Sequence, residues 1–283
     1  MYNQKLNDLI DKYKLSEKEH DEILEFLKKE LFSDIVADNN PSIMFVIGQP
    51  GSGKTTFINN NNLSQYVIIN SDNYRYLSKY SDEILDKYPT NYAKLTNYDA
   101  HLWGDELFSY AMQNGYSVLR EKAPIDYSLF ELIKEISHKY DVILNVVVTG
   151  NLESLLATRE RYEKEIVKNN NAKLSNIESH NKCYELLPDF ISRCLPLGVK
   201  VNYVIPYSNQ FKVIPLENDY LEILQNLREL SNEHACLTFE SRIDNIKQSM
   251  KNRNASQDQF NELIKIENIY HEMINHNKKR KGF

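Results

Sequence analysis

The sequence predicts an α/β fold, a P-loop kinase arrangement in which a mostly parallel sheet is covered by helices on both faces and extended by helices at both ends. Three observations carry this expectation. Apolar, β-branched runs of about five residues, the length of strands buried on both faces, alternate with stretches of helical period. The first run, Ile43-Met44-Phe45-Val46-Ile47, leads straight into Gly48-Gln49-Pro50-Gly51-Ser52-Gly53-Lys54-Thr55, which matches every fixed position of the phosphate-binding pattern G-x-x-x-x-G-K-[ST]. The polar residues with chemical promise fall at the carboxyl ends of such runs, where parallel sheets hold their ligands.

Taken in order, residues 3–36 are helical by period, with Ile23, Leu24, Leu27, Leu31 and Ile35 on one apolar face. Ser16-Glu17-Lys18-Glu19 offers a capping box inside this arm, and Asn39-Asn40-Pro41 ends it. Residues 66–70 form the second strand and deliver Ser71-Asp72 at its end. A tyrosine-rich helical region spans about 79–114 and closes at Asn114-Gly115. Residues 116–120 make a third strand running into Glu121, and 142–148, the most apolar run, a fourth. A charged helix at 152–168 carries Arg159 and Arg161; 173–195 is helical with an interruption near Pro188. Residues 200–205 and 211–214 pair as late strands at the sheet edge. Three helices follow, at 220–230, about 239–252 and 257–277, the last with Ser256 as its cap. The implied organisation is a helical arm at 1–40, a kinase core at 41–215 and a helical extension at 216–283 packed on that core.

Composition narrows the class. Hydrophobic residues at 41% and charged residues at 26% fit a globular chain. No apolar run approaches the roughly 20 residues of a membrane span, and the N-terminus lacks a signal-peptide apolar segment. Cys183, Cys194 and Cys236 show no metal-ligand spacing, so the expectation is a cytoplasmic chain with reduced thiols. A net charge of -6 argues against a nucleic-acid surface. The one basic cluster, Lys278-Lys279-Arg280-Lys281, reads first as a solvated helix end.

The phosphate-binding pattern places Gly48, Gln49, Pro50, Gly51, Ser52, Gly53, Lys54, Thr55 and the following Thr56 around ATP. The glycines let successive N–H groups turn toward the phosphates, Lys54 reaches the β- and γ-phosphates, and the Thr55 hydroxyl sits on Mg²⁺. Such a loop leaves the reaction open; what stands opposite the γ-phosphate decides it. Asp72 is suited to take a proton from an alcohol, or, preceding Asn73-Tyr74-Arg75, to cap a helix. Glu121 is suited to hold Mg²⁺ directly or through water, to contact substrate, or to pair with Arg120 or Lys122. Arg159 and Arg161 are two apart on a helix, so only one can face the transferring group.

Together these segments resemble the zeta toxins, the kinase half of bacterial epsilon/zeta-type toxin–antitoxin systems. The carrying residues are the loop at 48–55, Ile69-Asn70-Ser71-Asp72-Asn73-Tyr74-Arg75, Asp105 ahead of Asn114-Gly115-Tyr116, Glu121, and Thr158-Arg159-Glu160-Arg161-Tyr162-Glu163, within about 43–190. The resemblance implies ATP-dependent phosphorylation of a sugar hydroxyl of UDP-N-acetylglucosamine, with Asp72 as base and Arg161 as the phosphate-clamping arginine. It also implies Asp105 and Glu121 at the sugar nucleotide and a small helical antitoxin as partner. The chain departs from the family in three places: Glu121-Lys122-Ala123 replaces Glu-Gly-Thr, Lys173 stands where a second lid arginine is usual, and Asp105 replaces a longer glutamate. These departures leave phosphoryl transfer in place and bear on the acceptor. The alternatives are a kinase for another small-molecule or nucleic-acid hydroxyl, and an ATP-gated interaction protein, which needs no base at Asp72.

Overall fold

The computed structural model describes residues 2–88, 91–169, 174–207, 210–216 and 219–280. Six strands form one sheet: β1 (Ser42–Ile47), β2 (Val67–Ile69), β3 (Val118–Lys122), β4 (Asp141–Val147), β5 (Lys200–Tyr207) and β6 (Gln210–Pro215). Their spatial order is β2-β3-β1-β4-β5-β6. The sheet is mostly parallel and flanked by helices. β2 pairs parallel with β3, Val67 opposite Val118, and β6 pairs antiparallel with β5 as the late strand pair predicts. Ile43 to Ile47 are all buried, which is why their sequence shows no polar alternation.

The helices depart from expectation at three places, one for a local reason and two because partners far away in sequence act on them. The arm at 3–36 is two helices, α1 (Tyr2–Lys12) and α2 (Glu17–Phe32). The Ser16 hydroxyl accepts from the Glu19 N–H while the Glu19 carboxylate accepts from the Ser16 N–H, so the capping box starts a new helix inside a continuous apolar period. After α3 (Lys54–Asn60), the region following β2 is a 3₁₀ turn at Ser71–Leu77, then α4 (Ser81–Lys87), α5 (Tyr92–Leu95) and α6 (Asn97–Gln113). The later helices are α7 (Ser128–Ile136), α8 (Asn151–Asn169), α9 (Ile177–Cys194), α10 (Tyr220–Asn252) and α11 (Gln257–Arg280).

α9 runs through Pro188 without the predicted interruption. Proline cannot donate to the carbonyl four residues back, that of Tyr184. Arg228 supplies the missing bond: its Nη2 donates to the Tyr184 oxygen at 2.8 Å, and its guanidinium lies 3.8 Å from the centre of the Tyr184 ring. α10 is likewise one helix of 33 residues where two were expected. Residues between the two expected helices are used elsewhere: Ser231 Oγ accepts from the Gly150 N–H at 2.9 Å and Asn232 Oδ1 accepts from the Leu152 N–H at 3.0 Å. These are N–H groups at the start of α8 that no helical carbonyl can reach.

The chain forms two compact units. The first comprises Met1–Phe45, Asn61–Glu121 and Ile136–Ile143. Its core holds Trp103, Leu107 and Phe108 of α6 with Phe45. Trp103 donates to the His20 carbonyl at 3.1 Å, and the His20 ring, stacked on Trp103, reaches Asp99 and Glu106. The second comprises Val46–Asn60, Lys122–Glu135 and Leu144–Phe283. Leu152, Leu155 and Leu156 of α8 pack there against Phe239, Ile243 and Ile246 of α10 and Leu263 and Ile266 of α11. Each fully buried side chain of this kind contributes about 1.5–3 kcal/mol. Arg242 adds a polar clasp, donating to both oxygens of Glu160 and to Glu153 at 2.6–2.7 Å. Among the described residues no helix is long and apolar enough to cross a membrane.

Candidate active site

The phosphate loop belongs to the second unit, and its shape is fixed by α8. Gly51 has φ 80°, in the left-handed region, and a Cβ on it would run into the Ser154 carbonyl and the Thr158 methyl. Gln49 is buried and donates from Nε2 to the Thr149 carbonyl at 2.9 Å and to Ser154 Oγ at 3.2 Å. Thr149 Oγ1 in turn donates to the Ser52 carbonyl at 3.1 Å. Lys54 is 7% exposed, and its Nζ donates to the Gly48 and Gln49 carbonyls at 2.9 and 3.0 Å. Ser52 Oγ is buried and finds no hydrogen-bond partner among the described residues. Thr55 and Thr56 are exposed at the start of α3.

Behind the loop stands His180, which no sequence pattern singles out. Its Nε2 lies 2.8 Å from Ser154 Oγ and its Nδ1 3.0 Å from Asn181 Oδ1. With Nδ1–H donating to Asn181, Nε2 accepts from the Ser154 hydroxyl, so one neutral tautomer links α9, α8 and Gln49. Burial, with a smaller effect of the Lys54 charge, lowers the His180 pKa from 6.5 to about 4. The unfolded chain therefore takes up this proton at about 6.5 and the folded chain only near 4. Stability should fall as pH drops through that window, by at most about 1.4 kcal/mol per pH unit. Urea unfolding of wild type and His180→Gln at several pH values checks this: the wild-type curve should steepen below pH 6.5 relative to the variant, and parallel curves reject it. Burial also pushes the neighbouring Cys183 thiol up to about 12, leaving it unreactive.

The acidic candidates Asp72, Asp105 and Glu121 belong to the first unit. The capping bond the sequence offered to Asp72 is made by Asn70, whose Oδ1 accepts from the Asp72 N–H at 3.1 Å. The Asp72 side chain, 53% exposed, accepts from Arg75 Nε and Nη2 at 2.8 and 2.6 Å. Gly104 lets α6 approach the turn after β2, because a Cβ there would meet Ser71 Oγ. That approach brings Asp105 to Arg120, whose buried guanidinium donates from Nη2 to Asp105 Oδ1 at 2.8 Å and lies over the Phe108 ring. Arg120 thus pairs with Asp105. Glu121 is half-buried at the end of β3.

Arg159 and Arg161 occupy different surroundings, as their offset predicts. Arg159 is buried, with Nη2 3.4 Å from Glu262 of α11, and burial lowers its pKa. Arg161 is 47% exposed, with Nε 3.8 Å from Glu165 and Nη2 3.4 Å from Ser175 Oγ. On the expectation that Arg161 is the phosphate-clamping arginine, Arg161→Ala should lower turnover far more than Arg159→Ala, whose main effect, given its burial, should be a lower melting temperature. Steady-state rates with melting curves for both variants check this, and equal rate losses would reject it. Lys173 lies outside the described residues. Sequence reasoning met Arg75 only as the end of the segment after Asp72 and Arg120 only as a candidate partner of Glu121, and it passed over His180; of the three, Arg75, three residues after Asp72, carried a local signal.

A glycine-rich loop joining a buried strand to a helix in a mostly parallel sheet defines a P-loop protein of kinase-like fold. The family model of the Zeta toxin matches residues 28–202, more than half of the sequence, and the chain belongs to the zeta toxin family. Toxin zeta of Streptococcus agalactiae is 26% identical over 157 residues, 52% of this chain and 53% of the relative, so the match spans about half the length of that curated protein. A structure from the PezAT chromosomal toxin–antitoxin system of Streptococcus pneumoniae superposes with a TM-score of 0.71 at 20% identity, over 83% of this chain and 98% of that one. AvrRxo1-ORF1:AvrRxo1-ORF2 with ATP superposes with a TM-score of 0.50 at 12% identity, over 75% and 71%. At these identities the structural likenesses establish the fold.

Proposed function

We propose that the chain is an ATP- and Mg²⁺-dependent phosphotransferase that phosphorylates a hydroxyl of a nucleotide sugar resembling UDP-N-acetylglucosamine. A small helical antitoxin would be its partner, the cytoplasm its compartment, and residues 41–215 the catalytic core between the arm at 1–40 and the extension at 216–283. The observation that carries the reading is the phosphate loop itself. Gly51 is shaped for close backbone approach, the Ser52 hydroxyl lacks a partner among the described residues, and the Lys54 ammonium rests on the loop's own carbonyls. Family membership and the likeness to a structure solved with ATP support it.

These residues fit the triphosphate: the loop N–H groups and Ser52 offer donors, and Lys54 offers charge. Thr55 and Glu121 would hold Mg²⁺, which takes few protein ligands and keeps several waters. When bound, the metal nucleotide supplies the phosphoryl group and a neutralising dication. Asp72 accepts the proton of the acceptor hydroxyl as its oxygen attacks, a contribution of roughly 10²- to 10⁴-fold. Lys54 and Arg161 stabilise charge on the transferring group. Asp105, Glu121 and Lys173 orient the acceptor.

Ala123 lacks the hydroxyl that the family's threonine offers, and Arg120 occupies one oxygen of Asp105. A site built to hydrogen-bond its substrate discriminates strongly when a partner is changed. Weak or altered activity on UDP-N-acetylglucosamine is therefore expected within a panel of UDP-, GDP- and ADP-sugars incubated with labelled ATP. Label on polynucleotide ends or on protein, and on none of the sugars, overturns the nucleotide-sugar assignment; label on nothing overturns the kinase assignment.

A further inference from the structure

Arg75 has no part in the mechanism above, yet all five of its N–H donors are engaged. Nη1 donates to the Ala93 carbonyl at 2.7 Å and to Thr96 Oγ1 at 3.2 Å. Nη2 donates to Asn97 Oδ1 at 3.0 Å and to Asp72 Oδ1 at 2.6 Å, and Nε donates to that same Oδ1 at 2.8 Å. A guanidinium has five N–H groups, so this one is saturated. It is also buried, at 6% exposure. An ordinary ion pair three residues apart on a helical surface is weak and holds neither partner still. Here the cation is fixed from behind by three acceptors at the junction of α5 and α6, and its remaining two donors converge on one carboxylate oxygen.

From this geometry we infer that Arg75 is the positioning residue for the Asp72 base, an inference that rests on the phosphotransferase reading. Pinning Oδ1 presents the carboxylate to an acceptor hydroxyl in one orientation, which is the form in which proximity lowers a barrier. The adjacent cation favours the ionised carboxylate, the form able to take a proton. Arginine stays protonated throughout, so the proton leaving the hydroxyl resides on Asp72 alone. The same guanidinium ties the base to α6, whose first residue is Asn97 and which carries Asp105 two turns further on. Base and acceptor-side carboxylate are thereby held to a common frame within the first unit.

The test measures kcat, the KM for ATP and the pH dependence of kcat on the best acceptor from the panel. Arg75→Gln should lower kcat by roughly 10- to 100-fold while leaving the KM for ATP within about twofold, since the loss falls on the reacting geometry. Its acid limb should move to higher pH. Arg75→Lys should restore the acid limb and only part of kcat, because lysine returns the charge without the fork. Asn97→Ala, which removes one acceptor at an exposed position, should give a smaller loss in the same direction. In an Asp72→Asn background, Arg75→Gln should cost no more than about twofold further, because residues acting as a unit are not additive. Wild-type kcat in Arg75→Gln overturns the inference, as does an equal loss in both backgrounds with an unmoved acid limb. If Arg75→Gln does not fold, Asn97→Ala and Arg75→Lys supply the same readouts. A wild-type chain that transfers phosphate to no acceptor overturns the functional reading and this inference together, whereas wild-type transfer with the failures just named overturns this inference alone.

Discussion

Lys54→Ala should abolish ATP-dependent transfer, by roughly 10³-fold or more, while the chain remains folded. The rate effect follows from charge: phosphoryl transfer offers the protein little covalent chemistry, so a cation at the β- and γ-phosphates supplies much of the stabilisation. The fold should survive because the ammonium holds the carbonyls of Gly48 and Gln49 rather than packing in the core. Losing one donor from these carbonyls costs about 1–3 kcal/mol, against a typical stability of about 5–15 kcal/mol. Rates together with thermal melting provide the check. Wild-type turnover in a folded variant would remove the phosphate loop from the mechanism.

Asp72→Asn should lower kcat by roughly 10²-fold or more with little change in ATP affinity or stability. The amide is nearly isosteric, and its oxygen can still accept from Arg75, so the turn at 71–77 should persist. The Asn70 side chain makes the capping bond of that turn and is untouched by the substitution. What the amide cannot do is take up the acceptor's proton. Nucleotide binding by calorimetry, melting and kcat distinguish the possibilities: unchanged specific activity in a less stable variant would make the Asp72 side chain a structural group.

The elements legible in the sequence are those whose determinants lie close together along the chain. β1 and the phosphate loop are written in adjacent residues, because the backbone there needs glycine at Gly51 whatever surrounds it. The capping box at Ser16 was also visible, although the apolar period continuing through it hid the helix break it causes. In the other failures of the reading the deciding partner is remote. Pro188 interrupts a helix on local grounds, and Arg228, 44 residues after Tyr184, supplies the bond that proline removes. Ser231 and Asn232 fall between the two helices expected at 220–230 and 239–252, and the N–H groups they serve, of Gly150 and Leu152, lie about 80 residues away. Asp105 was found through resemblance, but its partner Arg120 was not, because nothing in the spacing of the two announces an ion pair. His180 is a lone histidine in the sequence and part of a hydrogen-bonded chain in the fold.

The bond from Arg228 to the Tyr184 carbonyl also orders events while the chain is being made. Tyr184 leaves the ribosome 44 residues ahead of the side chain that completes its helix. Ser231 and Asn232, which finish the start of α8, and Phe239, which covers its leucines, come later still. Until they emerge, α9 carries a carbonyl without its donor and α8 an uncovered apolar stripe, although the phosphate loop that leans on α8 was synthesised long before. The contacts that complete α8 and α9 thus come from residues made after both helices, although the loop they support precedes all of them in the chain.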